Sequence, residues 1–457
     1  MKDFTERLGT APVGRLLIKL SLPGMASTIS QSLYNIINTI WVTRIGFEAI
    51  AALTIVLPFQ IIFYAIGGGT GIGIAALVSR RFGEKNPDAA NRVAGQIFFL
   101  SLFWGFILML IATLFATPLL KLMGATPDII AYSRQYMVTI AFGAPFVIFA
   151  IVVASLLRGS GDTMRPMIIM ISSTVVNIVL DPFLIFGIGP FPELKVTGAA
   201  LGTVIAQVCG AGLGLFFILS GKTAFHIKAA HILPSWRIIR EIYQVGAPSI
   251  ILQVTESFVF ILWNVAVSSF GSLSIAAVGI FMRISDFAFM PVMGVQNGLL
   301  PIIGYCYGAN LFNRLWNAVK KAIFGIMALL AVLTGLMEIF TPQIISVFTK
   351  DPELVKVAMP AMRIMLSTMI LIGPSIMTIT AFQGLGKGKT ALFLSLIRQF
   401  IVFVPLLFLF RAIWGLTGVW VCSPAADIFG VLISLGFLWR EYNRHRHAGL
   451  KPSGIKW

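Results

Sequence analysis

The sequence predicts an all-α membrane protein: twelve transmembrane helices in two six-helix lobes, related by an internal parallel repeat and facing each other across a V-shaped central cleft. Three observations carry that expectation. The first is composition, because 58% of the 457 residues are hydrophobic, 11% are charged and 37 are phenylalanine, which leaves too few polar residues to clothe a soluble core. The second is recurrence: apolar stretches long enough to cross about 30 Å of hydrocarbon return along the whole chain. The third is self-similarity, since residue n matches residue n+225 at landmarks scattered through each half.

In chain order the spans fall at 16–43, 49–79, 94–118, 131–156, 167–189, 198–220, 242–268, 275–304, 322–342, 357–381, 391–412 and 417–439. Polar segments between them alternate in charge. The stretch RRFGEKNPDAANR (80–92), the connection from Lys222 to Arg240, Arg314 to Lys321, Lys387 with Lys389, and the tail from Arg440 to Lys456 are basic, whereas 46–48, 190–196 and 413–416 carry little positive charge. This alternation follows the positive-inside rule, which puts both termini and every even-numbered connection on the cytoplasmic face of the cell inner (plasma) membrane. The formal charge of +17 is therefore spread over one face of a multi-pass protein, fits contact with anionic lipid, and gives no nucleic-acid-binding arm. The first apolar run is full length and has no small-residue cleavage site, so it reads as a span and not a removable leader. Cys209, Cys306 and Cys422 have no paired spacing, and His226, His231, His445 and His447 all fall in polar segments. A disulfide framework, a structural zinc and an intramembrane catalytic histidine are not expected.

The 225-residue register superposes Pro23 on Pro248, Gly46 on Gly271, Ile50-Ala51-Ala52 on Ile275-Ala276-Ala277, and the glycines of RGSGDT (158–163) on those of QGLGKG (383–388). Six spans separate equivalent points, an even number, so the halves keep the same orientation in the membrane. The organisation predicted is an N-lobe at 1–220, a cytoplasmic linker at 221–240, a C-lobe at 241–440 and a basic tail at 441–457. Two lobes of this kind can rock to open the cleft alternately to either side.

Ionisable residues inside the spans must be paired, hydrated or functional. They are Asp181, Glu256, Arg283, Asp286, Arg398 and Asp427, with Glu338 near a span end. Arg283 and Asp286 stand three apart and are expected to neutralise each other; Arg398 and Asp427, on consecutive spans, are candidates for the same. Asp181 and Glu256 have no basic residue within helical reach. Asn177 lies one turn before Asp181 on the same face, and Pro182 follows immediately, removing a backbone donor. Amide, carboxyl and loosened backbone make an oxygen-rich spot fit for a proton or a small hard cation. GGGTGIG (67–73) has neither a preceding strand nor a Lys-Ser/Thr, so it reads as close helix packing and not a phosphate loop.

LPGMASTISQSLYNIINTIWVTRIG in the first span, VNIVLDPFLIFG in the fifth, TGAALGTVIAQ in the sixth, LLPIIGYCYGA after the eighth and AFQGLGKGK before the eleventh together resemble the prokaryotic branch of the multidrug and toxin extrusion (MATE) family. The resemblance covers essentially the whole chain. It implies a non-enzymatic antiporter that exports amphipathic, mostly cationic drugs or toxins against H⁺ or Na⁺, acting as a monomer without an organic cofactor. It also implies a coupling site at Asp181 and Asn177, where Na⁺ would sit, with Thr203 beside them and a first-span position that is normally aspartate but is Asn38 here. Asparagine matches aspartate in shape and cannot release a proton. Asp181 then works alone with Asn38 as a neutral ligand, or coupling is altered; both readings stay open. Glu256 is the C-lobe rival for coupling, lying opposite Gln31 in the repeat. Gln31, Tyr34, Tyr136, Asn264, Met282 and Met293 are the expected lining of a promiscuous substrate cleft. Two other classes remain: a lipid-linked oligosaccharide or lipid flippase of the same superfamily, expected to carry more cations in its cleft, and a membrane-embedded enzyme, which would need a clustered acid–base or metal set.

Overall fold

The computed structural model describes residues 3–448; of the basic tail expected at 441–457, residues 441–448 continue the last helix and 449–457 lie outside the described residues. Every regular element among these is helical. A short α1 (Asp3–Thr10) leads into α2 (Val13–Thr43), α3 (Phe47–Gly83), α4 (Pro87–Leu114), α5 (Ala116–Leu122), α6 (Ile130–Phe142), α7 (Ala144–Gly159), α8 (Met164–Phe186) and α9 (Lys195–Leu219). A four-residue α10 (Ala229–Ile232) interrupts the linker. The second half follows as α11 (Trp236–Ser268), α12 (Ser272–Gly308), α13 (Phe312–Ile339), α14 (Thr341–Phe348), α15 (Pro352–Leu366), α16 (Met369–Gly384), α17 (Gly388–Leu396), a π-helical turn Ile397–Val402, and α18 (Phe403–Ala448).

The duplication is visible element by element. Helices α3 and α12, and likewise α4 and α13, begin and end 225 residues apart. Backbone positions with positive φ recur in the same register: Gly46 with Gly271, Lys85 with Asn310, and Gly161 with Gly386. Such conformations are sterically costly for most side chains, so their recurrence marks the same turns built twice.

By length and hydropathy eight helices among the described residues qualify as membrane crossings, and ten if each of two bent pairs counts as one span. The bent pairs are α6 with α7 (48°) and α15 with α16 (46°), where the sequence suggested unbroken spans. Pro145 explains the first break: it enters the helix at the first turn after Gly143, where its missing N–H costs nothing, and its ring packs against Gly105. A further crossing follows from the swing at Gly415 (φ 58°, ψ −133°), in the expected 413–416 turn: α17, the π-helical turn and the start of α18 make one span, and the rest of α18 makes the next. The remaining crossing is α2. Its 31 residues reach about 46 Å, but Ser27, Thr28, Ser30, Gln31, Asn35, Asn38 and Thr39 lower its hydropathy, as suits a helix that faces polar groups.

Most of the N-lobe packs around one apolar core that includes Phe59, Phe63, Ile97, Met137, Ile148 and Leu156, and the second half around two, one containing Leu299, Ile303, Ala322 and Phe382 and the other Trp263, Phe281, Met362 and Trp420. The linker is strapped to the N-lobe. Gln96 of α4 donates to the carbonyls of His231 (3.1 Å) and Leu233 (2.9 Å) and accepts from the Ser235 N–H (2.9 Å), while Asn91 accepts from the His226 N–H at 2.9 Å. Helix α11 then starts at Trp236, inside the stretch expected to be linker.

Glycines let the lobes meet. A Cβ at Gly73 would lie 2.3 Å from the Ile242 carbonyl, one at Gly83 would lie 2.1 Å from the Tyr305 carbonyl, and one at Gly24 would touch Gly294 at 3.3 Å. Arg81 of α3 joins Glu241 of α11 by an ion pair of 2.5 Å. All of these contacts lie in the halves of α2, α3, α11 and α12 nearer the termini. In the other halves Asn35, Thr39, Glu256, Arg283 and Asp286 are exposed, and polar side chains at that depth call for water, so a cleft opens there. Arg283 and Asp286 do not form the ion pair expected of them among the described residues; both are exposed.

Candidate functional site

A continuous polar chain crosses the N-lobe beside the cleft. Helix α2 carries Tyr34 and Asn38 one turn apart, and the Asn38 amide reaches the Tyr34 hydroxyl at 3.4 Å. Tyr34 in turn meets the Thr203 hydroxyl of α9 at 3.3 Å. Thr203 gives its own proton to the Ala199 carbonyl (3.0 Å), so Tyr34 donates to it. The Asn177 amide of α8 reaches Asp181 Oδ1 at 2.9 Å and Thr203 Oγ1 at 3.5 Å. Asp181 is fully buried and Asn177 is 1% exposed.

Local sequence explains how these groups converge. Four-residue spacing on α2 and on α8 stacks each pair on one helix face. Gly202 of α9 opens the space they need: a Cβ there would lie 2.2 Å from Asp181 Oδ1. Three oxygens keep no hydrogen-bond partner, namely Asn38 Oδ1, Asn177 Oδ1 and Asp181 Oδ2. Unpaired buried acceptors are costly, and a proton or a small cation at Asp181 would relieve that cost there. The structure therefore brings Asn38, Asn177, Asp181 and Thr203 together. Tyr34 joins them as the link between Asn38 and Thr203, a role the sequence reading missed; the four-residue step from Tyr34 to Asn38 was its available signal.

The residues expected to line a substrate cleft divide. Gln31 and Tyr34 line an N-lobe cavity of about 70 Å³ together with Tyr64, Asn177, Thr203 and Gln207. Met282 lines a C-lobe cavity of about 190 Å³ that also holds Glu256. Met293 is partly exposed on α12 and Asn264 is half-buried, and neither lines these two cavities. Tyr136 requires a correction. It is 2% exposed in the N-lobe core, with its hydroxyl accepting from Gln60 at 3.4 Å, because α6 turns that face inward against α3.

Glu256 stands apart from the N-lobe chain. Its carboxylate accepts from Gln399 at 3.0 Å, beside the Arg398–Asp427 ion pair of 2.9 Å, and Thr368 donates to the other Asp427 oxygen at 3.4 Å. Arg398 and Asp427 thus neutralise each other as expected, while Glu256 is left with a neutral amide and open cleft.

Comparison with known proteins places these features in context. The sequence model of the MatE family matches residues 23–183 and 248–409, two segments that begin at the superposed prolines Pro23 and Pro248. The multidrug export protein MepA of Staphylococcus aureus (strain MRSA252) is 30% identical over 420 residues, covering 90% of each chain. MepA of Staphylococcus haemolyticus is 29% identical over 414 residues, covering 89% of this chain and 88% of its own. Among solved structures, MATE in the straight conformation superposes with a TM-score of 0.92 at 25% identity, covering 97% of this chain and 99% of that one. An outward-facing multidrug resistance MATE family transporter of the MOP superfamily gives 0.91 at the same identity and coverage.

Proposed function

The chain belongs to the MatE family of multidrug efflux transporters, and on that premise we propose that it is a secondary antiporter exporting amphipathic, mostly cationic compounds in exchange for H⁺ or Na⁺. The observation that carries this reading is Asp181, a fully buried carboxyl group with neutral partners alone, inside a lobe that faces an open cleft. Such a group holds its charge poorly unless a cation arrives, which is what a coupling site must sense. Asn38, Asn177 and Thr203 orient it and supply further oxygens, and Gln31 and Tyr34 connect it to the adjoining cavity.

Antiport follows from competition between cation and substrate for one lobe. Loading Asp181 rearranges the Asn177–Thr203–Tyr34 chain, and Tyr34 also lines the cavity a substrate would enter. The contacts that close the lobes lie near the termini, and the basic connections at that end support a cytoplasmic assignment in the inner membrane. The cleft would then face outward, in line with the outward-facing relative. A flippase reading is less favoured, because exposed Glu256 and Asp286 against exposed Arg283 leave the cleft without the cationic excess a pyrophosphate needs.

The test is transport in liposomes holding the purified protein. Ethidium should move when a pH or Na⁺ gradient is imposed and stay put when both are collapsed. Movement indifferent to both gradients would sink the antiporter reading.

A further inference from the structure

The linker between the lobes wears its apolar side chains outward. Between 229 and 236 the exposed residues are Ala229, Ala230, Ile232, Leu233, Pro234 and Trp236, with Leu233 70% and Trp236 75% exposed, whereas His231 is buried. Polar groups here face the protein. The His231 ring accepts the Lys228 N–H at 3.2 Å through Nδ1, and Gln96 of α4 takes up the His231 and Leu233 carbonyls and the Ser235 N–H. A segment turned inside out in this way suits lipid better than water. Its depth agrees: Gln96 lies in the third turn of α4, where the apolar run of that helix begins, so the backbone bonded to it sits at the edge of the hydrocarbon. Tryptophan collects at that level of a bilayer.

The repeat shows that this outward placement is not imposed by the fold. A shift of 225 residues carries Leu8 onto Leu233 and Ala11 onto Trp236. Leu8 is fully buried in the core that contains Leu299 and Ile303, whereas its counterpart Leu233 is left bare. Basic side chains flank the bare surface. Lys222, Lys228, Arg237 and Arg240 are all exposed, and Arg240 stands one turn after Trp236 on the same face of α11. Arg237 lies 3.8 Å from Glu241, and the other three have no ion pair among the described residues.

We propose that residues 222–240 form a seat for anionic phospholipid of the cytoplasmic leaflet: Ile232, Leu233 and Trp236 lie among the upper acyl chains, and Lys222, Lys228 and Arg240 hold the phosphate headgroups above them. Unpaired cations beside bare apolar side chains match a phosphate set over hydrocarbon. The level of Gln96 favours lipid over a soluble acidic protein, which does not reach the hydrocarbon edge. The seat is strapped to α4 of the N-lobe, lies apart from Asp181 and from both cavities, and needs no assumption about antiport.

Fluorescence quenching by spin-labelled lipid tests it. Full-length protein in a cysteine-free background, carrying Ala230→Cys labelled with bimane, is placed in two sets of phosphatidylcholine vesicles with equal phosphatidylglycerol content. A nitroxide high on the acyl chain is carried by the phosphatidylglycerol in one set and by an equal amount of phosphatidylcholine in the other. Quenching should be at least about twofold stronger when phosphatidylglycerol carries the nitroxide, because basic residues at an anionic surface concentrate its lipids. With Lys222→Gln, Lys228→Gln and Arg240→Gln combined, which alters exposed side chains alone, the two sets should quench alike; with Lys222→Arg, Lys228→Arg and Arg240→Lys the preference should remain. No quenching in either set would put the linker clear of the bilayer, open to a soluble partner, and overturn the proposal. Equal quenching of the parent protein by both lipids would also overturn it, as would a preference that survives the glutamine substitutions or is lost in the charge-conserving variant.

Discussion

Asn38 decides how the N-lobe site is read at the scale of single residues. An aspartate there would put a second carboxyl group within reach of Tyr34, whereas the asparagine present donates its amide to the Tyr34 hydroxyl and keeps that hydroxyl's own proton on Thr203. The amide thus sets the direction of the Asn38–Tyr34–Thr203 run, which ends on the Ala199 carbonyl, while Asn177 donates separately to Thr203 and to Asp181. Asn38→Asp is expected to add a second proton-binding group, raising the number of protons exchanged per substrate and weakening the hydrogen bond to Tyr34. Proton flux in liposomes, counted against ethidium moved, checks this; an unchanged ratio would show that position 38 has no part in coupling. Asn177, Asp181 and Thr203 were legible because their spacing and motif stand in the sequence. Tyr34 as a bridge was not, since its partner lies 169 residues away on another helix. Tyr136 misled for a related reason: an aromatic with a hydroxyl suits a cleft and a core equally, and the rotation of α6 decides between them.

Helices explain why the lobes close where they do. The glycine run 67–73 on α3 packs closely, as its small residues suggested, on two sides: Gly67 and Gly71 lie against Ile151 and Ser155 of α7, while Gly69 and Gly73 lie against Gly246, Ile250 and Ile242 of α11 in the opposite lobe. Backbone carbonyls receive the latter pair, so a side chain has no room to be pushed aside. Gly73→Val should hold α3 and α11 apart by the width of its side chain. In a cysteine-free background, a cysteine placed at the fully buried Ser79, beside Gly304, should then react with a membrane-impermeant maleimide several-fold faster than without Gly73→Val. Unchanged labelling would contradict this account of closure. Span positions were readable from hydrophobic length, but helices reach beyond the apolar runs: α4 starts at Pro87 against an expected 94 and α13 at Phe312 against 322. The bends of the α6–α7 and α15–α16 pairs were not, because a single Pro145 or a Ser367–Thr368 break leaves the hydropathy of the segment intact.

At the scale of the whole molecule, duplication supplied two lobes and divergence lined their cavities with different side chains. The 225-residue register was visible before any coordinates, yet it did not reveal that Arg398 and Asp427 build a chamber wall, since an ion pair between neighbouring spans looks the same whether it packs in a core or borders a cavity. What couples the lobes is the central claim: one buried carboxyl group, Asp181, trades a cation for a substrate, and the closing surfaces near the termini transmit the exchange. By linkage, cation and substrate must then weaken each other's binding reciprocally. The most direct measurement is tetraphenylphosphonium affinity in the purified protein, across pH 5.5 to 8.5 and with or without Na⁺. The wild-type Kd should rise at least about tenfold when protons or Na⁺ are added, a coupling near 1.4 kcal/mol, and in Asp181→Asn it should stay flat under both titrations while Glu256→Gln keeps the wild-type response. An Asp181→Asn protein that still loses tetraphenylphosphonium on acidification or Na⁺ addition as the wild type does would contradict the account and move the coupling site elsewhere.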